Sequence, residues 1–114
     1  MDALEIVLLY DYYGDLLTDR QRECFEMRYY QDLSLGEIAE ELGISRQGVH
    51  DNLSRAEALL RNMEEKTGCV RRDLLNRKVM KTVLESAEKL SAYPDAEVSA
   101  LAQAILSAAG GFEE

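Results

Sequence analysis

Between Ser45 and Arg55 the chain sets two arginines, a glutamine, a histidine, an aspartate and two serines within about three helical turns. Arg46 and Gln47 open the run. An arginine fork pairs with a guanine edge, and a glutamine amide with an adenine edge. Ser45, Ser54 and Arg55, with Ser34 upstream, supply hydroxyls and charge of the kind that hold phosphates. His50 and Asp51 share the outward side, where Asp51 would oppose a phosphate. The plain alternative for this run is a solvated polar face.

Catalytic chemistry is poorly served. His50 is the one histidine and takes an exposed helical position. The sequence shows neither a phosphate-cradling glycine loop, nor a metal-ligand cluster, nor a Ser/His/Asp or Cys/His set. Glu40-Glu41, Glu64-Glu65 and Glu113-Glu114 are adjacent pairs, and adjacent helical residues do not face each other. The chain reads as a non-enzyme without cofactor or metal.

Two helices and one tight turn must position the run. The first spans about Ser34 to Leu42, with Leu35, Ile38, Ala39 and Leu42 on one face. The second starts after Ser45, a good N-cap, and buries Val49, Leu53, Ala56 and Leu60. Gly43 suits the left-handed residue that closes the first helix, and Ile44 drops into the angle between the two. The small Ala39 lets the backbones cross closely. This is helix-turn-helix spacing, whose second helix can enter a DNA major groove. In many repressors the last core position would fall at Asn52; here the apolar residue is Leu53, four after Val49.

Around this pair the sequence predicts further helices. Ala3 to Tyr13 forms the first, with Leu4, Val7, Leu8, Asp11 and Tyr12 on one side and Ile6, Leu9, Tyr10 and Tyr13 widening its apolar surface. Thr18-x-x-Gln21 is a capping box for a helix reaching about Tyr30, with Cys24, Phe25, Arg28 and Tyr29 near its inner face. The tyrosines suit positions that bridge a core and a wet edge. The second helix of the central pair continues to about Glu65, and Lys66-Thr67-Gly68 stops it. A long helical pattern follows from Val70 to Leu90 on Leu74, Leu75, Val79, Val83, Ala87 and Leu90, with Met80 and Leu84 beside them. Pro94 breaks it, Asp95 caps a last helix from Ala96 to about Ala109, and Gly110-Gly111 end that one. There Val98, Leu101, Ala102, Ile105 and Leu106 face inward. The fold class is all-α: a trihelical helix-turn-helix core with extra N- and C-terminal helices. Residues 1–66 form one domain and 67–114 a helical extension that packs on the N-terminal helix or in a dimer interface.

Composition bounds the partners. Apolar residues make up 46 % of the chain, enough for a core. No apolar run approaches the roughly 20 residues that a bilayer needs, and the acidic N-terminus lacks a basic signal region. Both point to a cytoplasmic protein that inserts in no membrane. Cys24 and Cys69 read as reduced thiols filling space. Net charge is −9, whereas dedicated DNA-binding domains usually show a basic face. From Thr18 to Asn62 six arginines face nine carboxylates. Any DNA affinity is therefore expected to be weak and strongly salt-dependent. A second basic patch is offered by Arg71, Arg72, Arg77, Lys78 and Lys81, which suit RNA phosphate, an acidic partner or plain solvation.

The residues Arg22-Glu23, Arg28-Tyr29, Glu37-Ile38-Ala39, Leu42-Gly43-Ile44-Ser45 and Ser54-Arg55-Ala56 resemble sigma-factor region four. With Asp11-Tyr12-Tyr13-Gly14, Leu16-Leu17-Thr18, Ser45-Arg46-Gln47 and Val49-x-Asp51-Asn52 added, the chain resembles the YlxM family over about Leu8 to Leu60. That family is made up of small bacterial proteins whose genes lie beside that of the signal recognition particle GTPase. The resemblance implies a DNA-binding or regulatory role linked to that pathway. Two readings follow. One is a helix-turn-helix regulator using Arg46, Gln47, His50 and Arg55. The other is an adaptor whose acidic scaffold binds a signal recognition particle protein or its RNA. The apolar surplus after Gly68 further suggests a homodimer.

Overall fold

A computed structural model describes residues 3–110. Asp2, Gly111 and the Glu113-Glu114 pair lie outside the described residues. Among those described, the chain is all-α: α1 (Ala3–Tyr13), a short 3-10 turn (Gly14–Leu16), α2 (Asp19–Tyr29), α3 (Leu35–Leu42), α4 (Arg46–Thr67), α5 (Cys69–Ser91) and α6 (Ala96–Gly110). The backbone divides into two compact units, the first ending at Val70 and the second beginning at Arg71.

In the first unit α1, α2 and α3 all pack on the long α4. Phe25, Ile6, Ile38, Leu60, Val49 and Cys24 are its fully enclosed side chains, and Leu53 and Ala56 complete the inner stripe of α4. Leu35, Leu42 and Ile44 pack half-buried around them. Capping fixes where the helices start. The Thr18 hydroxyl accepts the Gln21 N–H at 3.2 Å while the Gln21 side chain accepts the Thr18 N–H at 2.9 Å. Ser34 and Glu37 repeat the box on α3, at 3.1 and 3.0 Å. That Ser-x-x-Glu signal was readable in the sequence, which assigned Ser34 only a phosphate role. The Glu37 carboxyl is held below its usual range, chiefly by the backbone N–H of Ser34.

Three expectations are corrected here. The buried residues of α1 are Ile6, Leu9, Tyr10 and Tyr13, whereas Leu4 is 82 % exposed. Tyrosine chemistry sets this roll of the helix. Tyr10 stacks on Phe25 at 4.2 Å between ring centroids and donates its hydroxyl to Glu26 at 2.6 Å. Tyr13 donates to Glu64 at 2.8 Å, so a helix turned the other way would lose the ring stack and both hydroxyl bonds. Second, Arg28 is not inward. Its guanidinium lies at the surface and donates to the Leu33 carbonyl at 3.0 Å, tying down the α2–α3 connector. Third, Cys69 is exposed and fills no core space, while burial pushes the Cys24 thiol up.

At the end of α4 Gly68 adopts φ 64°. The Glu64 carboxylate reaches past it and accepts the Val70 N–H at 3.0 Å, satisfying one of the orphan donors of α5.

In the second unit the expected break and cap are present: Asp95 accepts the N–H groups of Glu97 and Val98 at 2.9 and 3.1 Å. The Ser99 hydroxyl donates to the Ser91 carbonyl across the turn at 3.3 Å. The inward positions expected on α6 hold for Ala102 and in part for Val98 and Leu106, but not for Leu101 and Ile105. Ala87, Ala102 and Ala109 are buried, with Met80, Leu84, Val98 and Leu106 intermediate. Leu74, Leu75, Val79, Val83, Leu90, Leu101 and Ile105 are exposed. The apolar residues of α5 lie on two sides of the helix, and the continuous run of the sequence does not distinguish them.

Candidate nucleic-acid interface

The corner that aims α4 depends on one backbone conformation. Gly43 sits at φ 68°, a region that costs other residues a Cβ clash, and its N–H returns to the Ala39 carbonyl. Ile44 N–H also closes on Ala39, at 3.1 Å. The chain then turns at Ser45, whose hydroxyl accepts the Gly48 N–H at 2.9 Å and starts α4. Val49, Leu53, Ala56 and Leu60 bury one side of α4. That leaves Arg46, Gln47, His50, Asp51, Ser54 and Arg55 exposed on the rest of its first three turns. The site residues read from the sequence on α4 therefore share one continuous exposed face, with Ser45 at its start. Asn52 turns aside: its amide donates to the Gly48 carbonyl at 2.8 Å, and Leu53 takes the core position.

The face has its own internal chemistry. Asp51 accepts the Gln47 amide at 3.0 Å and lies 3.7 Å from His50 Nδ1. Its carboxylate is turned back toward Gln47 rather than forward to Arg55, one turn on. Among the described residues neither Arg46 nor Arg55 forms an ion pair; the pairs seen in the first unit are Arg20–Glu23, Arg22–Asp15 and His50–Asp51. Ser34 stands at the start of α3, its hydroxyl oxygen engaged by Glu37 N–H and its proton free to donate elsewhere.

Glu40 and Glu41, also exposed, line a depression of about 270 Å³ with Leu33 and Glu37. It opens beside the α2–α3 connector. The basic residues Arg71, Arg72, Arg77, Lys78 and Lys81 belong to the second unit and are all exposed on α5.

Sequence reasoning missed where the carboxylates go. Four tyrosines donate to four acids: Tyr10 to Glu26, Tyr13 to Glu64, Tyr29 to Glu57 at 2.9 Å and Tyr30 to Asp11 at 3.3 Å. The partners stand 16 to 51 residues apart, so no local pattern announced the pairs. Burial, then the Glu57 carboxylate, pushes the Tyr29 phenol up to about 12. Tyr10 and Tyr30 are raised for the same first reason.

Comparison with known proteins gives a consistent picture. A model of the family described as "UPF0122: Putative helix-turn-helix protein, YlxM / p13 like" matches residues 2–97. A UPF0122 protein of Thermoanaerobacter sp. strain X514 is 63 % identical over 71 residues, covering 62 % of this chain. The chain spans 61 % of the length of that relative. A UPF0122 protein of Geobacillus kaustophilus strain HTA426 is 42 % identical over 93 residues, 82 % of this chain and 84 % of the relative. One of Halalkalibacterium halodurans is 39 % identical over 87 residues, 76 % of this chain and 80 % of the relative.

Proposed function

Because the chain belongs to the UPF0122 family of YlxM/p13-like helix-turn-helix proteins, we propose that it is a regulatory protein that binds duplex DNA with the start of α4. The observation that carries this reading is the exposed face of Arg46, Gln47, His50, Ser54 and Arg55, whose two arginines form no ion pair among the described residues. Arg46 and Gln47 stand at the first turn, where a helix entering the major groove meets base edges. Arg55, Ser34, Ser45, Ser54 and the N-terminus of α4 hold phosphates. His50 contacts the groove between them. Asp51 has two effects: it orders Gln47 before binding, and it repels the backbone that Arg55 attracts.

A second reading is favoured by the acid on α3. Glu37, Glu40 and Glu41 around Leu33 suit a basic protein surface. On that reading the protein is an adaptor of the signal recognition particle pathway, and α4 serves as scaffold. Affinity capture from a bacterial lysate, with and without nuclease, separates the two. Partners lost on nuclease treatment and on Arg46→Ala support the DNA reading. A protein partner retained through both, and lost on Glu40→Lys with Glu41→Lys, supports the adaptor.

A further inference from the structure

One oxygen on the face of α4 has two claimants. Asp51 Oδ1 accepts the Gln47 side-chain amide at 3.0 Å and stands 3.7 Å from His50 Nδ1. All three side chains are exposed. The amide bond is made, whereas the imidazole is close but not bonded. A neutral imidazole carries one donor and no charge. An imidazolium carries donors on both nitrogens and adds to its hydrogen bond an ion-pair attraction that a neutral amide lacks. Histidine is also the side chain whose charge ordinarily changes between about pH 5 and 8.

The other charges along α4 stand further off. Arg46 lies one turn before His50, and Glu57 two turns after it on the same flank. Among the elements packed on α4, α2 brings Tyr29, whose phenol donates to Glu57 at 2.9 Å. The α1 helix brings Tyr13 to Glu64, toward the far end of α4. The α3 helix carries Glu37, Glu40 and Glu41 around the depression at Leu33. Among the described residues Asp51 is the carboxylate paired with the His50 ring. We propose that His50 and Asp51 form a proton switch on the face of α4, which strengthens duplex binding as pH falls. The switch rests on the reading of α4 as a duplex-binding helix. A proton from solvent gives His50 a positive charge and draws the Asp51 oxygen onto the imidazolium. The Gln47 amide is then released to a base edge, and the negative charge of Asp51 is offset where phosphates approach.

Fluorescence anisotropy of a labelled mixed-sequence duplex at fixed low salt, from about pH 8 to about pH 5.5, spans the histidine range and tests the switch. The wild type should bind on the order of tenfold tighter at the acid end, the gain that one more phosphate-facing charge brings at low salt. That gain should vanish in His50→Gln, where the carboxylates elsewhere still titrate. It should be reduced in Asp51→Asn, which gains the charge but has no carboxylate to hand over. Without DNA, the Gln47 side-chain amide resonance should move over the same pH range in the wild type and stay in place in His50→Gln. Binding with the same pH response in the wild type and His50→Gln would overturn the switch and leave the DNA reading standing. So would a Gln47 amide that ignores pH, or a gain undiminished in Asp51→Asn. Absence of binding at every pH would instead remove the DNA reading, and the switch with it.

Discussion

Asp51 governs the balance on the exposed face of α4. Its carboxylate accepts from Gln47 and neighbours His50, so it spends attraction that a nucleic acid would otherwise receive. Asp51→Asn keeps the shape and removes the charge. It should tighten low-salt duplex binding several-fold, read by fluorescence anisotropy, whereas Arg46→Ala should weaken it about tenfold. The second residue-scale feature is the set of phenol–carboxylate bonds. A tyrosine whose folded pKa lies above its unfolded value near 10 contributes stability that is full below pH 10. As pH rises from about 10 toward 12 the unfolded chain releases a proton that the native Tyr29 retains, and stability falls. Urea unfolding across this range should show a steep alkaline loss that Tyr29→Phe lessens, at a neutral-pH cost of about 1 kcal/mol. None of these bonds could be read from the sequence, because partners such as Tyr13 and Glu64 are 51 residues apart and only the packed helices bring them together.

At the scale of the elements, local signals were legible and rotations were not. Gly43, Ser45, Thr18 with Gln21, and Asp95 each act through neighbours within four residues, and each stands where its residue type predicts. The roll of α1 depends on Phe25 and Glu64 in other helices. With apolar residues nearly all round that helix, periodicity grouped Leu4 with Val7 and Leu8 without showing which side packs, and Leu4 lies outward. The exposure of Arg28 has the same origin in a tertiary bond to Leu33. The corner itself yields a clean prediction. A Cβ at Gly43 would meet nothing within 4 Å, so the cost of Gly43→Ala is conformational rather than steric. It should be about 1 kcal/mol in thermal or urea unfolding. Ser45→Ala should cost a similar amount through the lost cap on Gly48.

Across the whole molecule the question is how a net charge of −9 bears on the face proposed to meet DNA. Phenol donors hold Glu26, Glu57, Glu64 and Asp11 without cancelling their charge, and Glu37 caps α3. The first three turns of α4 carry Arg46 and Arg55 against Asp51, while the sum over the chain limits long-range attraction. The face was readable from Arg46 to Arg55 because helical spacing alone sorts its buried and exposed residues. The orientation of Asp51 was not, since a carboxylate has partners within reach on both sides. Few phosphate contacts imply a low absolute affinity that physiological salt removes. The direct test is anisotropy of a labelled mixed-sequence duplex titrated with the protein from low to physiological salt. The expected result is roughly micromolar binding at low salt, a log–log slope of about −3, and loss of binding near 0.15 M, with none at any salt for the Arg46→Ala, Arg55→Ala double variant. Binding that is absent at low salt, or unchanged in the double variant, would contradict the assignment of this face.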